Sequence, residues 1–199
     1  MGVKAEQTKQ RIIEAASLLF WRKSYRGVNM NQISLAAEVN KATVYAYYPT
    51  KEDLALAVIE NNFERTRDWV YDGAFEAYSD PCERLETIYR RIYESAAWVQ
   101  GEDGVSPGCP FVNIATELGT ESLRIREAVD GAFIRFGDYY KTLARDVQKQ
   151  GTARGTITQS AKVEALLRYL HGTLVASKIK NRPEELLDAI PTAKEILLS

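Results

Sequence analysis

Apolar residues recur at helical spacing along nearly the whole chain. Ile12, Ala16, Leu19 and Phe20 fall at i, i+4, i+7 and i+8, which predicts an amphipathic helix over about 5–24. A short segment follows at about 30–37, with Ile33, Ala36 and Ala37 apolar and Asn29 placed as its N-cap. Another short segment runs from Asn40 to about Tyr47. Pro49 breaks it, and Thr50 can cap the next helix, whose first turn carries acids where the helix dipole favours them. Asp80, Pro81 and Glu83 form the start signal of a fifth helix. The stretch 100–108, rich in Gly, Pro and acid, reads as a flexible loop. A helix then opens at Cys109-Pro110 and runs to Gly119, a long one covers about 121–150, and 151–158 reads as a second loop. Val163, Leu166, Leu167, Leu170 and Leu174 define a further amphipathic helix. The last begins at Pro183 or Glu184, and Pro191 kinks or interrupts it. No strand-like alternation, internal repeat or low-complexity tract competes with this pattern.

The expected class is therefore all-α, with about nine helices. The 199 residues, 45% hydrophobic and 27% charged, suit one moderate domain or two small helical ones and exclude wholesale disorder. No apolar run approaches the roughly 20 residues of a membrane span, and the polar N-terminus does not read as a secretion signal. Two distant cysteines fit a reducing, cytoplasmic setting. With one histidine and no Cys-x-x-Cys pair, no metal or cofactor is expected. The net charge of -1 hides an asymmetry. Residues 1–52 hold eight Lys/Arg against four acids, net +4, so the remainder is net -5. A basic end on an acidic body points to a polyanion at one end only.

Residues 29–48, NMNQISLAAEVNKATVYAYY, carry the most information. Two helices of about seven residues, joined by three or four, bury too little surface to stand alone. Packed on the helix at 5–24 they make a helix-turn-helix, whose second helix fits the major groove, roughly 12 Å wide. That second helix presents Lys41, Thr43, Tyr45 and Tyr47, while Val44 faces inward with Ile33 and Val39 as partners.

The stretch QISLAAEVNKATVYAYYPTKEDLALAVIE, residues 32–60, resembles the TetR family of bacterial transcriptional regulators: an isoleucine, paired alanines, a turn, a Thr/aliphatic/Tyr recognition helix, an aromatic, then Pro-Thr-Lys-Glu-Asp-Leu. GCPFVNIATEL at 108–118 looks like a subgroup carrying Gly-Cys before an aliphatic helix. Two positions depart from the pattern. Glu38 occupies a turn position where the family often has Gly, so the chain there either turns left-handed, at a cost of ~1–2 kcal/mol, or turns differently. Ala42 replaces a common Gly in the recognition helix.

The resemblance implies a DNA-binding domain at 1–50 and an effector-binding and dimerisation domain at 51–199, a homodimer on a palindromic operator, usually as a repressor, and a small-molecule effector of unknown identity. It assigns operator contacts to Asn31, Lys41, Thr43, Tyr45, Tyr47 and Lys51. Lys41 and Thr43 suit base edges, and Tyr45, Tyr47 and Lys51 suit phosphates. The helices at 160–180 and from 184 are the expected dimer interface, and the helix at 51–75 the expected lever between head and core. Trp69, Tyr93, Trp98, Phe111, Asn113, Phe133, Tyr140 and His171 supply aromatic and polar effector contacts. Cys109, at a helix N-cap beside the loop, is a candidate thiolate sensor of electrophiles. Catalysis is not expected: no Ser-His-acid set, phosphate loop or metal spacing is present. The remaining alternative is a helical protein-interaction module that binds through its leucine stripes without an operator.

Overall fold

The computed structural model describes residues 3–155 and 157–199. The chain forms helices α1 (Val3–Lys23), α2 (Met30–Ala36), α3 (Lys41–Tyr47), α4 (Lys51–Thr66), α5 (Gly73–Ala77), α6 (Pro81–Asp103), α7 (Pro110–Leu118), α8 (Leu123–Lys149), α9 (Gln159–Ile179), α10 (Glu185–Asp188) and α11 (Ile190–Leu198). A π-helical turn, Arg67–Asp72, joins α4 to α5 without a break. Counted as continuous rods, with α4 to α5 as one and α10 to α11 as another, they are nine, and no strand occurs among the described residues. The all-α expectation holds.

The chain divides into two compact units, residues 1–64 with 110–132, and residues 65–109 with 133–199. In the first, the predicted stripe of α1 is buried: Ile12, Ala16 and Phe20 pack inward, and α2 lies against both α1 and α3. Ile33, Val44, Leu54 and Ala55 are fully enclosed, whereas Val39, expected as a core partner, is half-buried. The short α2 and α3 gain little from their own hydrogen bonds, so their ends are fixed by caps and their stability by this shared core. Gly27 is required where the chain leaves α1, because a Cβ there would lie 2.1 Å from the Lys23 carbonyl oxygen. Glu117 on α7 accepts from the backbone N–H groups of Tyr25 (2.8 Å) and Arg26 (2.7 Å) and so satisfies the connection after α1.

In the second unit, α6 packs on α10 and α11, and α9 packs on the same two helices. Leu85, Ile88, Leu166, Leu186 and Leu197 are fully buried there. The ion pair Arg84–Asp146 at 2.9 Å and the pair Lys194–Glu86 tie distant segments together.

The stretch expected as a flexible loop departs from expectation in two ways. Helix α6 continues through Gln100–Gly101 and ends at Gly104, which takes a left-handed φ of 72°. The rest of the expected flexible loop is packed. Ser106, Pro107 and Gly108 are buried, and Asn181 fastens them by accepting from the Ser106 N–H at 2.6 Å and donating to the Gly104 carbonyl at 3.0 Å. The last helix is interrupted beside Pro191, as expected: the break falls at Ala189, and Pro191 sits in the first turn of α11, where a missing N–H costs nothing.

Candidate nucleic-acid interface

The first unit sets α3 between two local caps. Asn29 accepts from the N–H groups of Asn31 and Gln32, and Gln32 returns a carbonyl oxygen to the Asn29 N–H at 2.8 Å, a complete capping box for α2. Asn40 accepts from the Thr43 N–H at 2.7 Å and from the Thr43 hydroxyl at 2.9 Å, which fixes the first turn of α3. Thr50 and Asp53 make the same kind of reciprocal pair at the start of α4. These hydrogen bonds, together with those to Arg124, hold the Asp53 carboxyl below the usual carboxylate range. Between α2 and α3 the chain takes the left-handed alternative at Glu38, with φ 54°. The Val39 N–H then reaches the Ser34 carbonyl and closes the turn. A side chain is tolerated here at a cost that a glycine would avoid.

The turn leaves one face of α3 exposed: Lys41, Ala42, Tyr45 and Ala46, at i, i+1, i+4 and i+5. The Lys41 ammonium lies 5.8 Å from the centre of the Tyr45 ring. A cation, a phenol and two methyl groups on one helical face are complementary to phosphate oxygens, base-edge acceptors and thymine methyls. Ala46 was not singled out in the sequence and Ala42 only as a replaced glycine, although their spacing on either side of Tyr45 places them on its face.

The six sequence candidates fall into two groups. Asn31, Lys41 and Tyr45 are exposed. Thr43, Tyr47 and Lys51 are half-buried, and each donates a hydrogen bond within the unit. The Thr43 hydroxyl donates to Asn40, and the Tyr47 hydroxyl donates to the Ala5 carbonyl at 3.1 Å. The Lys51 ammonium sits 4.0 Å from the centre of the Tyr25 ring and donates to the Tyr25 carbonyl. Burial pushes its pKa down, with Glu117 acting against the shift.

The effector candidates fall in both units. Phe111 and Asn113 stand on α7 in the first unit, where Phe111 lines a small groove with Phe20, Tyr25, Val58 and Ile59. In the second unit, Trp69 and Trp98 are 45% and 61% exposed, Tyr93 is half-buried and Tyr140 is fully buried. Phe133 on α8 packs its ring 4.3 Å from that of His171 on α9, and burial pushes the histidine pKa down. Cys109 is buried immediately before α7, so the access expected from a flexible loop is absent in this conformation. Cys82 is half-buried, with its thiol raised first by desolvation and then by Asp80. Sequence reasoning missed Tyr71 and Tyr89, which lie beside Tyr140 in the same interior.

The family model described as "Bacterial regulatory proteins, tetR family" matches residues 12–58, and "Tetracyclin repressor-like, C-terminal domain" matches residues 81–192. The chain is 28% identical over 186 residues to the transcriptional regulator AcuR of Cereibacter sphaeroides, covering 92% of this chain and 81% of that one. It is 23% identical over 190 residues to the transcriptional repressor DhaR of Mycobacterium sp. strain GP1, covering 96% and 92%. The crystal structure of a TetR regulatory protein from Rhodobacter sphaeroides superposes with a TM-score of 0.80 at 26% identity, over 94% of this chain and 97% of that one. No described helix is long and apolar enough to cross a membrane. The two matched domains, in this order and on this fold, place the chain in the TetR family of helix-turn-helix transcriptional regulators, which bind DNA and are not enzymes.

Proposed function

We propose that the chain is a repressor that binds a palindromic operator as a homodimer and releases it when a small molecule or electrophile reaches the second unit. The observation that carries the reading is the exposed face of α3, with Lys41 and Tyr45 on a helix whose first turn is fixed by Asn40. Lys41 takes the base-edge or phosphate contact, Tyr45 a phosphate, and Asn31 a flanking phosphate. Thr43 keeps its methyl and a hydroxyl lone pair for a base edge, because its proton is committed to Asn40. Tyr47 and Lys51 also help fix the placement of α3 and α4, the tyrosine through its bond to Ala5 and the lysine through one of its three N–H donors, which leaves the ammonium able to meet a phosphate. The functional division is residues 1–50 for DNA and 51–199 for effector and dimer, in a cytoplasmic protein.

One helix-turn-helix covers half a site, so specific affinity calls for two heads roughly 34–36 Å apart. Helices α8 and α9 supply the dimer face in this reading. Ile134, Val175 and Ile179 are 58%, 42% and 79% exposed there, and Gly172 is exposed beside them. Leu186 and Leu197 of α10 and α11 are buried within the chain, while Leu187 and Leu198 are half-buried and leave these helices a smaller share of the interface. Effector release follows from differential affinity: a ligand that binds better to a state with misplaced heads shifts the population toward it. Cys109 reaches an electrophile only in an opened conformation, and its alkylation holds that conformation.

Two measurements test this reading. Sedimentation with a bound duplex gives two chains per site, and Val175→Glu with Ile179→Glu gives one. Operator release by a quinone is lost in Cys109→Ser if the thiol is the sensor. A variant that releases DNA as the wild type does removes the electrophile from the proposal.

A further inference from the structure

Three tyrosines meet in the interior of the second unit. Tyr71 comes from the π-helical turn, Tyr89 from α6 and Tyr140 from α8, and they are 2%, 0% and 0% exposed. The rings of Tyr71 and Tyr140 cross edge to face at 6.1 Å, and Tyr71 stacks on Phe136 at 4.8 Å with an interplanar angle of 19°. The hydroxyls of Tyr89 and Tyr140 are buried with no hydrogen-bond partner. The Tyr140 and Tyr71 phenols polarise one another, but not in hydrogen-bonding geometry. Buried hydroxyls are normally paired, and two orphans within one aromatic cluster make a site that lacks its acceptor.

Building on the regulator reading above, we propose that Tyr89 and Tyr140 are the effector's recognition pair, donating to the oxygen of an uncharged aromatic carbonyl compound. The chemistry of the site selects this class. Burial raises all three phenol pKa values well above the ordinary range, so the hydroxyls stay protonated donors at any physiological pH. The groups that act electrostatically on Tyr89 and Tyr140 are Tyr71, Tyr169 and each other, all neutral. A carboxylate or ammonium ligand would be desolvated there without a counter-ion, whereas a ketone, ester or quinone oxygen needs only donors. The stacked walls of Tyr71 and Phe136 favour a flat ring.

One wall of the site is irregular helix. Because Tyr89 and Tyr140 are sealed, a ligand enters only if an element moves. Tyr71 rides on the π-turn, a rare register found mostly as single turns and frequently at functional sites. Arg91 donates to the Trp69 carbonyl of that turn, and Tyr139 donates to Asp72. The turn continues α4 along one helical run, so displacing Tyr71 perturbs the helix whose other end follows the recognition helix.

The test is calorimetry on the full chain with acetophenone, and with benzoate and benzylammonium as charged probes of similar size. Acetophenone binds, and Tyr89→Phe and Tyr140→Phe each weaken it about five- to tenfold, the effect of one lost hydrogen bond. Both variants keep the ring volume, and unliganded they melt at or above the wild-type temperature, because an orphan hydroxyl has been removed from the core. No acetophenone binding, wild-type affinity in the double variant, or equal binding of benzoate overturns the proposal. Operator binding by the same unliganded variants is a separate readout, and its retention leaves the regulator reading standing whatever acetophenone does.

Discussion

The start of the reading head and the interior of the second unit treat polar groups in opposite ways. At α2, α3 and α4, neighbours three residues apart satisfy the exposed helix ends, Asn29 with Gln32, Asn40 with Thr43 and Thr50 with Asp53. In the second unit, Tyr89 and Tyr140 carry hydroxyls into the core and leave them unpaired. The head is built to hold one shape on DNA. The interior keeps unmet donors in a sealed core. Rigidity at one place and unmet capacity at the other is what a ligand-released DNA reader requires.

The largest expected effect sharpens the rigid side. Leu54→Ala, at a fully enclosed position of α4, lowers stability by about 2–5 kcal/mol in denaturant titration. A loss below about 1 kcal/mol would mean that the head repacks easily and is not rigid. Next comes Lys41→Ala, which weakens operator binding by about 1–3 kcal/mol if the residue reads a guanine, with thermal stability unchanged. An equal loss on every sequence would make it a phosphate contact instead. Glu38→Gly relieves the left-handed turn and raises stability by about 1 kcal/mol, measured by thermal melting. A loss would show that the Glu38 side chain stabilises the turn in a way its backbone does not reveal.

The smallest effect concerns His171. Burial lowers its folded pKa, so the unfolded chain binds the proton more readily. Stability from this group is therefore complete above the ordinary histidine value of 6.5 and falls as pH drops through it. His171→Phe flattens that part of the stability curve. A curve of unchanged slope would place the titrating group elsewhere.

What was legible in the sequence was local. Asn29, Asn40, Thr50 and Asp80 announce helix starts because a cap needs only its own next turn, and all four helices begin where these residues place them. The stripe Ile12, Ala16 and Phe20 is legible because one face of one helix is enough to show it. What was not legible depends on partners far along the chain. Lys51 reads as an exposed lysine, and only the fold shows Tyr25 packed against its ammonium. Residues 104–108 are a loop, as they read, but only the fold shows Asn181 fastening Ser106 so that it packs. The π-turn has no local signature, and Arg91 and Tyr139 hold it from α6 and α8. Tyr71, Tyr89 and Tyr140 are ordinary core positions by spacing, and only the fold shows that two of their hydroxyls lack partners.

The central claim is that the capped α3 reads DNA as one of a pair. Selection of bound duplexes from a random pool by the full-length chain tests it most directly. The account predicts an inverted repeat with half-site centres about 10 base pairs apart, or a multiple of that spacing, and its loss when Lys41 and Tyr45 are both replaced by alanine. A pool that returns no repeat, or the same repeat with the double variant, would contradict it.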